Sequence, residues 1–204
     1  MFVFSKEQKT FTIGNVKVGG QPGEHPPLLI ASMFHNKDRI LQDRKGNFDR
    51  QKAKELIKKQ EELSASTGIP SMVAIMANTA EEAQVYIDFY VETTGMPFGI
   101  DMWVAEKRAK ATEYVAKLGL QDKFLYNSIT PWDKDIPGQV NKLKDLGIKH
   151  VVVQAFDDKD QSPAGRLKSL EHLLSQGADS FETIIVDTSV MNLPATSFSL
   201  IANR

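Results

Sequence analysis

After residue 27 the chain alternates short apolar runs with longer amphipathic segments. The apolar runs are continuous along the chain, which is typical of strands buried on both faces of a parallel sheet. They occupy 28–34, 71–77, 98–103, 124–130, 150–156 and 183–189. The segments between them predict helices over 49–66, 79–94, 104–118, 137–146 and 164–176. This strict β-α alternation predicts an α/β protein built on a parallel sheet.

The predicted helices carry start and stop patterns in the sequence. Thr79 followed by Glu82 is a capping-box pattern, in which side chains satisfy the first free amides of a helix. A glycine stands just beyond each of four predicted helices, where a left-handed residue commonly ends a helix. These glycines are Gly68, Gly119, Gly147 and Gly177. The helix boundaries are therefore defined by local chemistry as well as by periodicity.

The first residues follow a different pattern. Alternating apolar positions flank Gly14-Asn15, which predicts a β-hairpin over residues 11–18. The loop 19–23 after it is rich in glycine, but neither the lysine nor the strand-glycine-helix order of a phosphate-binding loop accompanies it. A nucleotide-binding open sheet is therefore a weak interpretation.

The spacing of the strands leaves two architectures open. The strand starts lie about 31 residues apart, and eight such units would need about 250 residues, the usual size of a (β/α)₈ barrel. Six strands fit within the 204 residues. The pattern is thus compatible with an open doubly wound sheet or with a barrel that lacks its last quarter.

Composition narrows the class of protein. A chain of 204 residues with 41% hydrophobic positions supports one core, so we expect a single domain over 1–204. The net charge of -1 gives no indication of nucleic-acid binding. The absence of cysteine excludes disulfides and thiolate metal sites, and the four histidines show no metal-ligand spacing, so no metal is expected. With neither a signal-peptide pattern nor an apolar stretch of membrane length, we expect a cytoplasmic protein.

Polar residues follow the predicted strands at their carboxyl ends, where both architectures place ligands. They are Ser32, His35, Asn78, Asp101, Asn127, Ser128, Gln154, Asp157, Asp158 and Asp187. Asp101 and Asp187 suit a ligand with several N–H groups, although each could also be a helix N-cap. Asn127 offers donors and an acceptor that need partners. Since parallel strands bring such residues to one rim, the set indicates a small-molecule site.

Other residues carry less specific chemistry. Trp103 and Trp132 could form the wall of a planar ligand site or could simply pack. Asp157, Asp158 and Asp160 could bind a cation, but a solvated loop is the commoner role for such a cluster.

Six short segments occur in an order that matches a known family. They are Gly19-Gly20-Gln21-Pro22-Gly23-Glu24, Lys59-Gln60-Glu61-Glu62-Leu63, Ile100-Asp101, Tyr126-Asn127-Ser128-Ile129, Pro163-Ala164-Gly165-Arg166 and Val186-Asp187-Thr188. Together they resemble the H-subunit family of tetrahydromethanopterin S-methyltransferase and its bacterial relatives, the methyltetrahydrofolate:corrinoid methyltransferases. The resemblance implies a pterin-binding (β/α)₈ barrel of the TIM type, with about six β-α units in this sequence, and a homodimer.

The resemblance also implies an activity and assigns residues to it. The activity is methyl transfer between N5 of a reduced pterin, tetrahydrofolate or tetrahydromethanopterin, and the cobalt of a corrinoid (cobalamin) on a partner protein. Asp101, Asn127 and Asp187 match the pterin-binding positions of three strands, and Asn127 is the expected catalytic residue near N5. Ser128 and Gln154 are further expected pterin contacts. Attachment to a larger methyltransferase complex is a further expectation, without any membrane span in this chain.

The sequence departs from the family pattern at three places. Ala74 stands where the second strand usually carries Asp, Met102 stands where relatives have Ser, and the last two strands are expected to be missing. These departures leave two other functions open. One is a non-catalytic barrel protein that docks on a corrinoid protein or on its own copy. The other is a different pterin enzyme, such as a dihydropteroate synthase-like protein.

Overall fold

A computed structural model of the chain describes residues 3–43 and 45–204, and its strands and helices follow the predicted alternation. The strands are β1 (Thr10–Ile13), β2 (Val16–Gly19), β3 (Leu29–Met33), β4 (Ser71–Met76), β5 (Phe98–Asp101), β6 (Phe124–Ile129), β7 (His150–Gln154) and β8 (Thr183–Asp187). The helices are α1 (Arg50–Thr67), α2 (Ala80–Thr93), α3 (Ala105–Lys117), α4 (Ile136–Asp145), α5 (Pro163–Ser175) and α6 (Ala195–Ala202). The α/β class predicted from the sequence is confirmed.

The sheet topology follows the chain. Strands β3 to β8 neighbour one another in sequence order within a six-stranded sheet, and β1 and β2 form a separate two-stranded sheet. The pairs β3–β4, β4–β5 and β7–β8 are parallel. Two registers matter below, because Asp101 is paired with Met76 and Asp187 is paired with Gln154. A closed eight-stranded barrel stays a prediction.

The chain divides into two compact units, one up to Leu125 and one from Tyr126 to Arg204. The single domain expected from the length stays a prediction. In the first unit, the predicted hairpin is present and slightly longer than expected, with Ile13 opposite Val16 across Gly14-Asn15. Gly14 has φ 58°, a left-handed conformation that this two-residue turn requires and that glycine adopts without strain.

The core of the first unit is largely aromatic. Phe34 stacks on Tyr86 with ring centroids 4.1 Å apart, and Phe48 and Phe89 meet this pair edge to face. Phe34 and Tyr86 are each 1% exposed, and burial of one such ring contributes about 1.5–3 kcal/mol. The cluster joins α2 to the segment between β3 and α1. The sequence predicted no element over 35–48 of this segment.

The second unit buries the interior of its two paired strands beneath its helices. Val151 and Val153 of β7 are fully buried, as are Leu173 of α5 and Ala178 in the 3-10 turn after it. On α4, Ile136, Val140 and Leu143 form the buried face. The continuous apolar run at 150–156 is thus confirmed as a strand covered on both faces.

Helix ends follow the predicted chemistry. Thr79 caps α2 by accepting a hydrogen bond from the Glu82 amide, and Gly68 ends α1 in the left-handed conformation with φ 69°. The other three predicted glycines also have positive φ just beyond their helices. Ser162 caps α5 through a hydrogen bond from the Gly165 amide and is followed by Pro163 at the first helical position.

The structure differs from the sequence prediction at the sheet edge and in one helix. Leu29 and Ile30 of β3 are 56% and 44% exposed, because β3 lies at one end of the strand order and pairs on one side only. On α1, Leu56 and Leu63 are half exposed, whereas Ala53 and Ile57 are buried. Helix α6 was not predicted.

Candidate functional site

The first unit places Asp101 at the last position of β5. Its side chain is half-buried, between the fully buried Ile100 and the buried Met102. The N-cap of α3 is Val104, which makes no side-chain capping bond, so the alternative role of Asp101 as the N-cap is wrong. The carboxylate is therefore held at a strand end without a capping function there.

A buried arginine supports the backbone beside Asp101. Arg108 is 2% exposed and lies at the fourth position of α3, from which its Nη1 donates to the Met102 carbonyl oxygen at 2.8 Å. Ala74 is buried within β4 and pairs with Gly99.

Other strand-end residues of the first unit have structural partners. Asn78 makes two contacts with one carboxylate, since its backbone amide and its side-chain Nδ2 both donate to Glu82 Oε2, at 2.8 and 3.2 Å. His35 Nδ1 accepts from the Lys37 amide at 3.2 Å. Ser32 lies exposed in β3. These residues shape the loops after β3 and β4.

The second unit contains Asn127 and Ser128 in β6, both half-buried. Tyr126, just before them, is 1% exposed, and its hydroxyl accepts from Gln139 Nε2 at 2.6 Å. Within the part of the chain that the structure describes, the Asn127 side chain makes no hydrogen bond. Its amide therefore has two donors and one acceptor without a partner among the described residues.

The structure brings Gln154 and Asp187 together at the ends of β7 and β8, and the two are linked through Ser189. Gln154 Nε2 donates to Ser189 Oγ at 2.8 Å. The Ser189 amide donates to Asp187 Oδ1 at 2.7 Å, and its hydroxyl lies 3.4 Å from Oδ2. Asp187 itself is exposed, so its carboxylate is oriented by the protein and remains open to solvent.

Two residues of this group were not identified by sequence reasoning. Ser189 is 5% exposed and has φ 51°, a conformation that non-glycine residues rarely adopt and that often marks functional loops. Arg166 is fully buried, and its Nη1 donates to the Ser189 carbonyl oxygen at 2.9 Å. Arg166 belonged to a segment that matched the family, but an arginine near a helix start is usually a surface residue. The only signal in the sequence for Ser189 was its position two residues after the strand-end Asp187.

The tryptophans, the aspartates of the loop after β7 and the histidines were the less specific candidates. Trp103 is 82% exposed and Trp132 is 45% exposed. Asp157 accepts from the amides of Lys159 and Asp160, and Asp160 accepts from that of Ser162, which is a loop arrangement. Of the four histidines, His150 is buried against Thr183 Oγ1 at 2.9 Å.

Metal-binding clusters and membrane-crossing helices are both missing from the described part of the chain. No group of three or more His, Cys, Asp or Glu within residues 3–43 and 45–204 is arranged to hold a metal ion. Among the described helices, none combines the length and the apolar character that a membrane crossing requires.

Similarity to a known family extends over nearly the whole chain. A family model described as tetrahydromethanopterin S-methyltransferase MtrH subunit matches residues 6–201. The matched range includes each of the strand-end candidates.

Individual relatives agree with the family match. The methyltransferase mtx H subunit of Methanosarcina mazei is 41% identical over 84% of this chain and 55% of its own length. The H subunit of tetrahydromethanopterin S-methyltransferase from Methanopyrus kandleri is 38% identical over 83% of this chain and 53% of its own. That of Methanothermobacter marburgensis is 36% identical over 82% and 54%. The chain spans about half the length of the curated relatives it matches.

Proposed function

Because the chain belongs to the MtrH family of tetrahydromethanopterin S-methyltransferase subunits, we propose that it is a methyltransferase acting on N5 of a reduced pterin. The pterin is methyl-tetrahydromethanopterin or its tetrahydrofolate counterpart. The other methyl carrier is the cobalt of a corrinoid, a cobalamin-type group on a partner protein. The observation that carries this proposal is the family match over residues 6–201.

The two aspartates suit the polar edge of a pterin. That edge carries an amino group and a ring N–H beside a carbonyl, so it needs acceptors, and an unpaired ring group would cost about 1–3 kcal/mol. We assign Asp101 and Asp187 as these acceptors. The placement of each at the last residue of its strand, with neighbouring backbone held by hydrogen bonds, supports this role.

Asn127 is the residue we assign to the methyl-transfer step. When the methyl group leaves N5, the C–N bonding pair would stay on nitrogen, and an electron pair of the reduced Co(I) corrinoid would form the new bond to the methyl carbon. N5 releases the methyl group more readily when a hydrogen-bond network stabilises its developing charge. The amide of Asn127 has no partner among the described residues and can enter such a network. Ser128, which is adjacent and also half-buried, is a further proposed contact.

Gln154 has a divided role in this proposal. Its Nε2 is committed to Ser189, which leaves the Oε1 acceptor of the same amide for a pterin N–H. The contact expected of Gln154 is therefore narrowed to that one atom.

The partners follow from the family and are also proposed. Relatives are named as subunits of a methyltransferase, so we propose that this chain works within a larger methyltransferase assembly and docks on a corrinoid protein. We also propose a homodimer. Apolar side chains exposed on and before α6, including Leu193 at 88% and Leu200 at 65%, are of the kind that a protein interface covers. Light scattering after size exclusion would measure the mass of the assembly.

Pterin binding and methyl transfer test the proposal directly. The chain is titrated calorimetrically with methyl-tetrahydromethanopterin and with methyl-tetrahydrofolate, and transfer to free cob(I)alamin is followed by its visible spectrum. We expect saturable binding of one pterin in preference to the other, with Asp101→Asn raising Kd at least tenfold, which corresponds to about 1.4 kcal/mol. Asp145→Asn, an exposed aspartate on α4, is the matched control.

The opposite result would support a different function. If neither pterin produced heat at millimolar concentration, the methyltransferase proposal would fail, and a non-catalytic protein that docks on a corrinoid protein would replace it.

A further inference from the structure

The second unit holds a buried cation that has no acidic partner among residues 3–43 and 45–204. Arg166 is 0% exposed at the fourth position of α5. Its Nε donates to the Gln161 carbonyl oxygen at 3.1 Å, its Nη1 donates to the Ser189 carbonyl oxygen at 2.9 Å, and its guanidinium lies 5.6 Å from the centre of the Phe156 ring. Among the described residues, no carboxylate pairs with it and its Nη2 has no partner.

Such a residue is costly for the fold. Removing a guanidinium from water carries a desolvation penalty of several kcal/mol, which carbonyl oxygens and an aromatic ring offset only in part. An apolar residue of similar size would fill the same space without that penalty. The position of Arg166 therefore points to a task at the atom it contacts, the Ser189 carbonyl oxygen.

Ser189 is fixed from several directions. Its carbonyl oxygen accepts from Arg166, and its hydroxyl accepts from Gln154 Nε2 at 2.8 Å. Ser199 Oγ lies 3.4 Å from the same carbonyl oxygen and also donates to the Thr188 carbonyl oxygen at 3.1 Å. These contacts hold Ser189 in its left-handed conformation, which an unsupported serine would seldom adopt.

The fixed serine in turn orients an exposed carboxylate. Its amide contacts Asp187 Oδ1 and its hydroxyl faces Oδ2, so each carboxylate oxygen has one protein donor. The Asp187 carbonyl oxygen accepts from the Ala155 amide at 2.8 Å, which anchors the backbone at the same residue. An ionised carboxylate can accept about four hydrogen bonds, so lone pairs remain for a ligand.

We infer that Arg166 and Ser189 are positioning residues, which hold the carboxylate of Asp187 in the orientation needed to bind the pterin. This inference rests on the proposed function, because it takes the ligand of Asp187 to be the pterin. Arg166 acts through Ser189 and does not touch the ligand. Arg108 provides a parallel in the first unit, since it also reaches from the fourth position of its helix to a carbonyl beside a candidate aspartate.

A double-mutant cycle tests whether Ser189 acts through Asp187. Binding of methyl-tetrahydromethanopterin is measured for the full chain, Ser189→Ala, Asp187→Asn and the double variant. We expect Ser189→Ala to raise Kd about tenfold in the original chain. In the Asp187→Asn background it should change Kd less than twofold, because the group it orients is already altered.

Ser169→Ala is the matched control for the loss of a buried hydroxyl. Ser169 is 8% exposed on α5, and its hydroxyl donates to the Phe156 carbonyl oxygen at 2.9 Å, without a hydrogen bond to Asp187 or Ser189. We expect this variant to bind the pterin as the original chain does. An equal loss of affinity in Ser169→Ala would assign the effect to general packing and would overturn the inference.

The contribution of Arg166 has a readout that does not depend on the ligand. We expect the Ser189 amide proton to resonate downfield, because the amide donates to Asp187 Oδ1 at 2.7 Å, and NMR of the free protein measures its shift. We expect Arg166→Met to move it upfield and Arg166→Lys to restore part of the shift, while Ser169→Ala leaves it in place. An unchanged resonance in Arg166→Met would overturn the role of Arg166. If Arg166→Met does not fold, the NMR shift in Arg166→Lys tests the role of Arg166, and the double-mutant cycle of Ser189 and Asp187 tests the role of Ser189.

The outcomes separate this inference from the proposed function. If the original chain and Asp187→Asn bind the pterin equally, the assignment of Asp187 fails. If Asp187→Asn weakens binding but Ser189→Ala weakens it by the same factor in both backgrounds, the function stands and the positioning role is wrong.

Discussion

At the residue scale, the candidates differ in how much of their hydrogen-bonding capacity the protein uses. Asp187 receives two contacts from Ser189, and Gln154 commits one half of its amide. Asn127 commits none of its side chain within the described residues. A group that is placed by the fold and left without a partner is suited to strengthen its contacts as a reaction proceeds, because nothing has to be broken first.

Asn127→Ala therefore has an expected kinetic signature. We expect kcat for methyl transfer to fall about 100-fold while Kd for the methylated pterin rises less than tenfold, because the contact at N5 strengthens in the transition state. Single-turnover transfer to cob(I)alamin and calorimetric binding provide the two numbers. Asn141→Ala, on the exposed surface of α4, controls for the loss of an amide. Unchanged transfer in Asn127→Ala would remove Asn127 from the chemistry.

At the element scale, the start of α5 determines where Arg166 lies. Ser162 caps the helix, Pro163 occupies its first position, and Gly165 is packed against Asp160 so closely that no side chain fits. A Cβ at Gly165 would lie 2.0 Å from the Asp160 carbonyl oxygen, a contact that no rotamer change can relieve because the oxygen belongs to the backbone. The loop 157–162 therefore packs tightly against the start of α5.

Gly165→Ala should disturb this packing between the loop and the start of α5. We expect a loss of about 1–3 kcal/mol in the free energy of unfolding, from overpacking against the backbone. Chemical denaturation followed by circular dichroism measures this loss. Gly95→Ala is the matched control, because its Cβ would meet nothing within 4 Å. Equal stability of the two variants would show that the helix start adjusts without cost.

The same substitution also bears on ligand binding. Since Gly165 immediately precedes Arg166, a displaced helix start should weaken the contact between Arg166 and Ser189, and pterin affinity should fall together with stability. A variant that lost stability but kept full affinity would separate the packing of α5 from the orientation of Asp187.

At the scale of the whole molecule, buried tyrosines link stability to alkaline pH. Burial raises the pKa of Tyr86 to about 12, with smaller contributions from the charges of Glu82 and Asp43. The hydrogen bond to Asp88 raises the pKa of Tyr114 to about 12, and burial raises the pKa of Tyr90 as well. In the unfolded chain these hydroxyls ionise at the ordinary value of 10.0.

We expect the free energy of unfolding to fall between pH 10 and pH 12. Below pH 10 both states hold the tyrosine protons, whereas above it the unfolded chain releases them and the folded chain does not. At pH 11 Tyr86 alone should cost on the order of 1 kcal/mol. Urea denaturation at pH 9 and pH 11 measures the change, and Tyr86→Phe should show a smaller one. Equal stability of the original chain at both pH values would contradict the buried, protonated state of Tyr86.

Much of the fold could be predicted from the sequence because its determinants are local. The helices and strands of the sheet end within a few residues of their predicted bounds, and the hairpin, the Thr79 cap and the glycine ends of the helices were all predicted correctly. Each depends on periodicity or on chemistry within about one helical turn. Helix α6 was missed although its start carries a local pattern, in which Asn192 Oδ1 accepts from the Ala195 amide at 3.0 Å and Pro194 directly precedes the helix.

The sequence by itself determined which polar residues lie at or near the carboxyl ends of the strands, among them Asp101, Asn127 and Asp187. Only the tertiary structure decided what surrounds Asp187. Gln154 and Ser189 are 35 residues apart in the chain, and Arg166 and Ser189 are 23 apart. Such pairs meet through the register of β7 with β8 and through the packing of α5, and neither leaves a periodic pattern in the sequence. The packing of α5 also determines that Arg166 is buried, because the burial of a side chain depends on neighbours that the local sequence does not encode.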